Sequence, residues 1–127
     1  MKKIIYALAA ILAAVSLSSC DSEIKNVKIN NLVGTWDLVS ETTVGYNGST
    51  STESFPKGES YWVIKENEIE QHTGKISITE PFSFGDPYFI IDGTNRYELI
   101  SLTRKTMVLK DRLTLLVKER TLTYNRR

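Results

Sequence analysis

The sequence predicts an all-β domain over residues 32–127, a small antiparallel up-and-down barrel of about eight strands preceded by a signal-peptide helix. Three observations predict it. Period-two alternation starts at Leu32: Leu32, Gly34, Trp36, Leu38 and Ser40 share one face of an extended segment, and Val33, Thr35, Asp37, Val39 and Glu41 the other. Short extended segments then recur at close spacing, each bounded by turn chemistry. No stretch after the leader offers a credible helix, and an antiparallel meander of short strands hides its edges by closing on itself.

Lys2 and Lys3 give a basic start, residues 4–15 an apolar run too short to span a bilayer comfortably, and Leu17-Ser18-Ser19-Cys20 a small-residue ending, which together mark an export signal over residues 1–19. The ending resembles the lipobox of bacterial lipoproteins. That resemblance implies cleavage before Cys20 after its thiol has received a diacylglycerol, with palmitate-like acyl chains holding the mature protein to a membrane. Cys20 is the single cysteine of the chain, so no internal disulfide is available and stability rests on core burial. A multiply acylated terminus is a strong anchor, since each buried methylene contributes ~0.8 kcal/mol. Residues 20–31 form the lipidated N-terminus and a polar, largely flexible tether, in which Val27 and Ile29 are placed to add an edge strand or pack under the barrel. The lipobox resemblance makes Asp21 bear on sorting in two opposed ways, retention in the inner membrane in enteric species or a surface-export tag in other Gram-negative groups; the expected location is the cell envelope of a Gram-negative bacterium, in the outer membrane, facing periplasm or surface.

The domain follows strand by strand. After the Leu32–Glu41 segment, extended candidates cover residues 61–65, 68–71, 75–79, 88–91, 96–102 and 106–110, with one or two more in 113–125. Turns are expected at Glu66-Asn67, Thr73-Gly74, Phe84-Gly85-Asp86-Pro87, Asp92-Gly93-Thr94-Asn95 and Lys110-Asp111-Arg112. The inward set comprises Leu38, Trp62, Ile64, Ile76, Ile78, Phe89, Ile91, Tyr97, Leu99, Met107 and Leu109. Residues 42–60, rich in Ser, Thr and Gly and without periodicity, read as a long loop, a length that goes with function or disorder.

Asn31-Leu32-Val33-Gly34-Thr35-Trp36-Asp37-Leu38-Val39 resembles the opening strand of lipocalin-like proteins, the calycin class, whose Gly-x-Trp motif starts the barrel. Residues 96–103 and 105–109 are similar to the late strands of the short lipocalin-like domains of bacterial lipoproteins. The resemblance implies that Trp36 lies across the closed end, entered through Gly34, with an arginine from a late strand packed over it. Arg126 is the first choice because Leu122, Tyr124 and Arg126 share a face, and Arg120 the second; a solvated basic C-terminus is the alternative. It also implies that residues 42–60 form the lid of a calyx, with Tyr46 and Phe55 touching what enters. A barrel of this size holds one small ligand or is filled by its own side chains. The candidate ligand-binding residues are therefore Leu38, Tyr46, Phe55, Trp62, Ile64, Phe89, Tyr97, Leu99 and Met107.

Composition and motifs exclude several classes. The formal charge of +1 becomes about −1 once Lys2 and Lys3 leave with the leader, so nothing attracts nucleic acid. His72 reads as a solvated turn residue, with no second histidine or second cysteine to complete a zinc set. Glu66, Glu68 and Glu70 recur at alternate positions and read as the outward side of a half-buried strand rather than a metal site. No cofactor, metal or catalytic constellation is expected, and the chain is read as non-enzymatic. The expected function is a membrane-anchored lipocalin-like lipoprotein that binds a small hydrophobic molecule in its barrel; the alternative is a filled barrel that docks or inhibits a partner protein in the envelope.

Overall fold

The computed structural model describes residues 22–112 and 117–127. The expected signal-peptide helix, Cys20, Asp21 and residues 113–116 lie outside the described residues. A short helix, α1 (Ile29–Leu32), precedes nine strands: β1 (Gly34–Val44), β2 (Thr50–Ser54), β3 (Ser60–Ile64), β4 (Glu68–Thr73), β5 (Ile76–Gly85), β6 (Tyr88–Ile91), β7 (Asn95–Leu102), β8 (Thr106–Asp111) and β9 (Glu119–Arg126). All pairs are antiparallel, and β1 with β3 to β9 forms a meander closed by pairing of β1 with β9. The fold is therefore an eight-stranded closed antiparallel barrel with one added strand, β2.

β1 holds this arrangement together because its two halves have different neighbours. Gly34–Asp37 pair with Ile64–Tyr61 of β3, whereas Ser40–Val44 pair with Ser54–Thr50 of β2, and β9 runs along the whole other side. A bulge between Leu38 and Ser40 changes the inward parity. Trp36 and Leu38 face the core, but beyond the bulge it is Glu41, opposite buried Leu122, that turns inward, which corrects the expected pairing of Ser40 with the Trp36 face. A second bulge, between Leu99 and Ser101 of β7, keeps Leu99 and Leu102 both buried.

Residues 42–60 are not a loop. β1 continues to Val44, Gly45 and Ser49 close a turn (Gly45 N–H to Ser49 C=O, 2.8 Å), and β2 returns alongside. Hydroxyls pair across the two strands, Thr42 with Thr52 and Thr43 with Ser51, each at 2.9 Å. The segment lacks hydrophobic alternation because neither of its faces is deeply buried, yet threonine suits an extended backbone and β9 supports the hairpin from the other side.

Ile76 and Ile78, placed inward from sequence, are 68% and 52% exposed. Their parity is right, since Phe82 on the same face of β5 is buried, but β6 pairs with β5 only from Phe82 to Gly85. The β4–β5 hairpin thus projects past the barrel rim, and its two isoleucines stand above the core. β5 also absorbs Phe84 and Gly85, expected as part of a turn, and β8 absorbs Asp111.

The segment expected as a flexible tether is packed from Ile24 onward. Val27 and Leu32 are buried, Ile24 rests against the core, and the Val27 N–H donates to Asp86 Oδ2 at 2.9 Å. With Ile24 N–H bonded to the Leu102 carbonyl (2.7 Å), this segment and α1 cover the end of the barrel at which β1 begins.

Candidate functional site

The closed end is built on Trp36. Its ring is fully buried, its Nε1–H donates to the Leu32 carbonyl (2.8 Å), and the Arg126 guanidinium lies 4.2 Å from the ring centroid. Arg126 reaches this position because β9 keeps Leu122, Tyr124 and Arg126 on one face opposite β1, pairing Arg126 with Trp36 itself. Its three nitrogens donate to the carbonyls of Arg104 (2.8 Å), Val33 (2.8 Å) and Asn31 (2.7 Å). Gly34 makes room: a Cβ there would lie 2.8 Å from Arg126 Nη1, and its φ of +144° is one side chains rarely adopt. Burial lowers the Arg126 pKa. Arg120, the second choice for this position, lies at the opposite end.

Above Trp36 the interior is occupied by side chains. Trp62 is the hub, with ring centroids of Tyr124 at 4.9 Å, Tyr97 at 5.5 Å and Phe89 at 6.4 Å. Phe82 and Phe84 pack on Phe89 in turn. Of the candidate ligand residues, Leu38, Trp62, Ile64, Phe89, Leu99 and Met107 are buried in this core, and Phe55 is half-buried against it. Tyr97 sits at the top of the core, while Tyr46 is 67% exposed at the tip of the β1–β2 hairpin. The structure therefore brings all of them together except Tyr46.

An ionic cluster near the open end was missed in the sequence. Arg120 Nη1 donates to Glu41 Oε1 and Nη2 to Asp111 Oδ2, each at 3.0 Å, with Tyr97 and Tyr124 close beneath. Its Nε is buried and has no hydrogen-bond partner among the described residues. Desolvation works against the charge of Arg120, but Tyr97, Glu41 and Asp111 outweigh it and raise the guanidinium pKa. Burial raises the Tyr97 pKa and pushes Tyr124 well above the ordinary tyrosine range. Glu41 leaves no mark in the alternation because the bulge at Val39 reverses its face, and Asp111 none because Lys110-Asp111-Arg112 has the composition of a turn although β8 runs through Asp111.

Beside this cluster a depression of about 270 Å³ opens along the β1–β2 hairpin, lined by Glu41, Thr43, Ser51, Thr52 and Glu53. Another, of about 320 Å³, runs between residues 23–27 and the end of β7.

His72 is not a turn residue. It lies within β4, stacks on Tyr61 at 4.3 Å and meets Glu70 Oε1 at 3.1 Å. Glu70 also contacts Lys65 Nζ at 2.5 Å, and the two hydrogen bonds, from Lys65 foremost, lower its pKa. Arg127 caps the other face of this row, 4.5 Å from the Tyr61 ring and 2.6 Å from buried Asp37. Among the described residues no group of three or more His, Cys, Asp or Glu side chains is arranged to hold a metal, and no helix is long and apolar enough to cross a membrane.

No protein-family model matches the sequence, and no curated protein matches it. One solved structure is similar: a Nostoc punctiforme protein of unknown function from the DUF3598 family, 12% identical, with a TM-score of 0.46 over 83% of this chain and 51% of that one. This chain thus spans about half the length of that protein.

Proposed function

We propose that this chain is a lipid-anchored β-barrel of a Gram-negative envelope, non-enzymatic, that docks a partner protein through its open end. The observation that carries this reading is the filled interior. Trp62, Phe82, Phe89, Met107 and Tyr124 occupy the inward positions of the barrel, and Arg120 with Glu41 and Asp111 stands over them. Apolar surface is instead offered outside, on the projecting β4–β5 hairpin at Ile76 and Ile78 and on the β1–β2 hairpin at Tyr46. Exposed apolar residues on arms around a filled centre suit a macromolecular partner. The basic start, short apolar run and Leu-Ser-Ser-Cys ending support Cys20 as the lipidated residue and the membrane as one partner.

Binding of a small hydrophobic molecule is the second reading, favoured by the face that Ile76 and Ile78 share with Phe82. Such a molecule would lie at the rim, against these isoleucines, and not among the core residues.

The test is site-specific photocrosslinking in the native host. A photoreactive residue at Ile76, Ile78 or Tyr46 should give a discrete protein adduct, and one at Ile90 on the outer wall should not. Absence of any position-dependent adduct rejects the docking reading. A co-purifying lipid in native mass spectrometry, lost in Ile76→Ser/Ile78→Ser, would transfer support to the small-molecule reading.

A further inference from the structure

The described chain enters the barrel at its closed end. The bond from Ile24 N–H to the Leu102 carbonyl sets the entry beside the β7–β8 turn. Five bases gather at the same end: Lys28 before α1, Arg104 and Lys105 in that turn, and Arg126 and Arg127 at the end of β9. Their segments, residues 28–33, 103–106 and 125–127, touch through the Arg126 side-chain bonds to Asn31, Val33 and Arg104 and its N–H bond to the Lys105 carbonyl (2.8 Å). None of these segments contains an aspartate or glutamate. Carboxylates stand elsewhere on this rim: Asp37 takes up Arg127, Lys65 is shared by Glu68 and Glu70, Glu23 lies beside Lys25, and Asp86 and Glu66 keep their charge, so the basic excess is that of Lys28, Arg104, Lys105 and Arg126 in the three touching segments. Lys28, Arg104 and Lys105 are exposed, and Val33, 41% exposed, stands among them.

We propose that this basic closed end lies against a bilayer surface bearing anionic headgroups, so that the open end points away from the membrane. The inference rests on the reading of Cys20 as the anchor. Four residue steps separate Cys20 from docked Ile24, at most about 14 Å of chain, which holds the entry point within about two Debye lengths (~8 Å each at physiological salt) of the surface. Bases held that close to an anionic surface are attracted to it. A nucleic acid or acidic protein would also match the charge, but only a membrane is delivered to this end by the chain itself. The orientation deepens the docking proposal: a partner approaches the two hairpins from the aqueous side.

The experiment uses the mature lipidated protein on vesicles of phosphatidylcholine alone or with added phosphatidylglycerol. Amine modification is followed by mass spectrometry at Lys28 and Lys105, with Lys75 and Lys118 at the open end as internal controls. Phosphatidylglycerol should slow modification of Lys28 and Lys105 about fivefold or more, leave Lys75 and Lys118 unchanged, and lose its effect in high salt. In Lys28→Glu/Lys105→Glu, the protection of neighbouring Lys25 should disappear while the protein still floats with the vesicles. Equal rates on both lipids, with flotation intact, overturn the orientation and leave the anchor standing. Failure to float with either vesicle overturns the anchor reading and the orientation together. Protection by added RNA but not by phosphatidylglycerol assigns the patch to a soluble polyanion and equally overturns the proposal.

Discussion

Gly34, Trp36 and Arg126 act as one closing device. The indole is buried and bonded to Leu32, and the guanidinium covers it because no Cβ stands at residue 34. Trp36→Ala should cost ~3–5 kcal/mol in urea denaturation, as expected for a buried aromatic; a loss below ~1 kcal/mol would contradict the burial. Gly34→Ala should cost ~1–3 kcal/mol from backbone strain and the clash with Arg126. The clash vanishes when Arg126 is alanine, so Gly34→Ala and Arg126→Ala should be non-additive, with a coupling of about 1 kcal/mol. Strict additivity would mean that the glycine serves only its backbone. Arg126 was legible because Leu122 and Tyr124 precede it at period two. Glu41 and Asp111, the partners of Arg120, were not, because a bulge and an extended strand end leave no mark in alternation.

Among elements, β1 has the most neighbours, and its distal half is a central strand between β2 and β9. Thr42 pairs with Thr52 on one side and Thr121 on the other. Thr42→Pro should therefore cost ~3 kcal/mol or more, by removing a ladder donor and introducing a ring where no edge exists. Replacing the exposed Tyr46-Asn47-Gly48 tip by Asn-Gly should shift the melting temperature by no more than ~2 °C, since few buried contacts are lost. It should also abolish any crosslink formed at Tyr46. A large thermal loss from the tip exchange would show that the hairpin is stabilised by its turn and not by β9. The strand character of residues 50–54 was illegible for the reason that makes the tip tolerant: neither face of the hairpin enters the core.

At the scale of the whole molecule, a filled barrel excludes water from Tyr97 and Tyr124, and both hydroxyls have raised pKa values, chiefly through burial. The unfolded chain ionises tyrosine near its ordinary value of 10.0, whereas the folded chain holds these two protonated. Their contribution is thus intact below the unfolded value and is lost as pH rises past it, because only the unfolded state gains by releasing the protons. Urea midpoints should fall as pH is raised above about 10, and the fall should be smaller in Tyr124→Phe. A midpoint that falls equally in wild type and Tyr124→Phe would place that hydroxyl in water. Cys20→Ala should release the protein from the membrane fraction and abolish incorporation of labelled fatty acid, and unchanged association without label would end the lipoprotein reading.

What this sequence determined by itself is local: strand after strand, the turns between most of them, and the inward parity of Trp36, Trp62, Phe89, Met107 and Leu109. Alternation reports which face of a segment is apolar, and it holds wherever that face is buried. Only the tertiary structure decided the height of each residue in the barrel and the strand pairings across long separations. It joined β1 to β9, carried Ile76 and Ile78 above the rim, turned Glu41 inward at a bulge, and folded residues 24–32 under the floor. Register and closure arise from contacts between residues far apart in the chain, and one inserted residue in a ladder reverses every face that follows it.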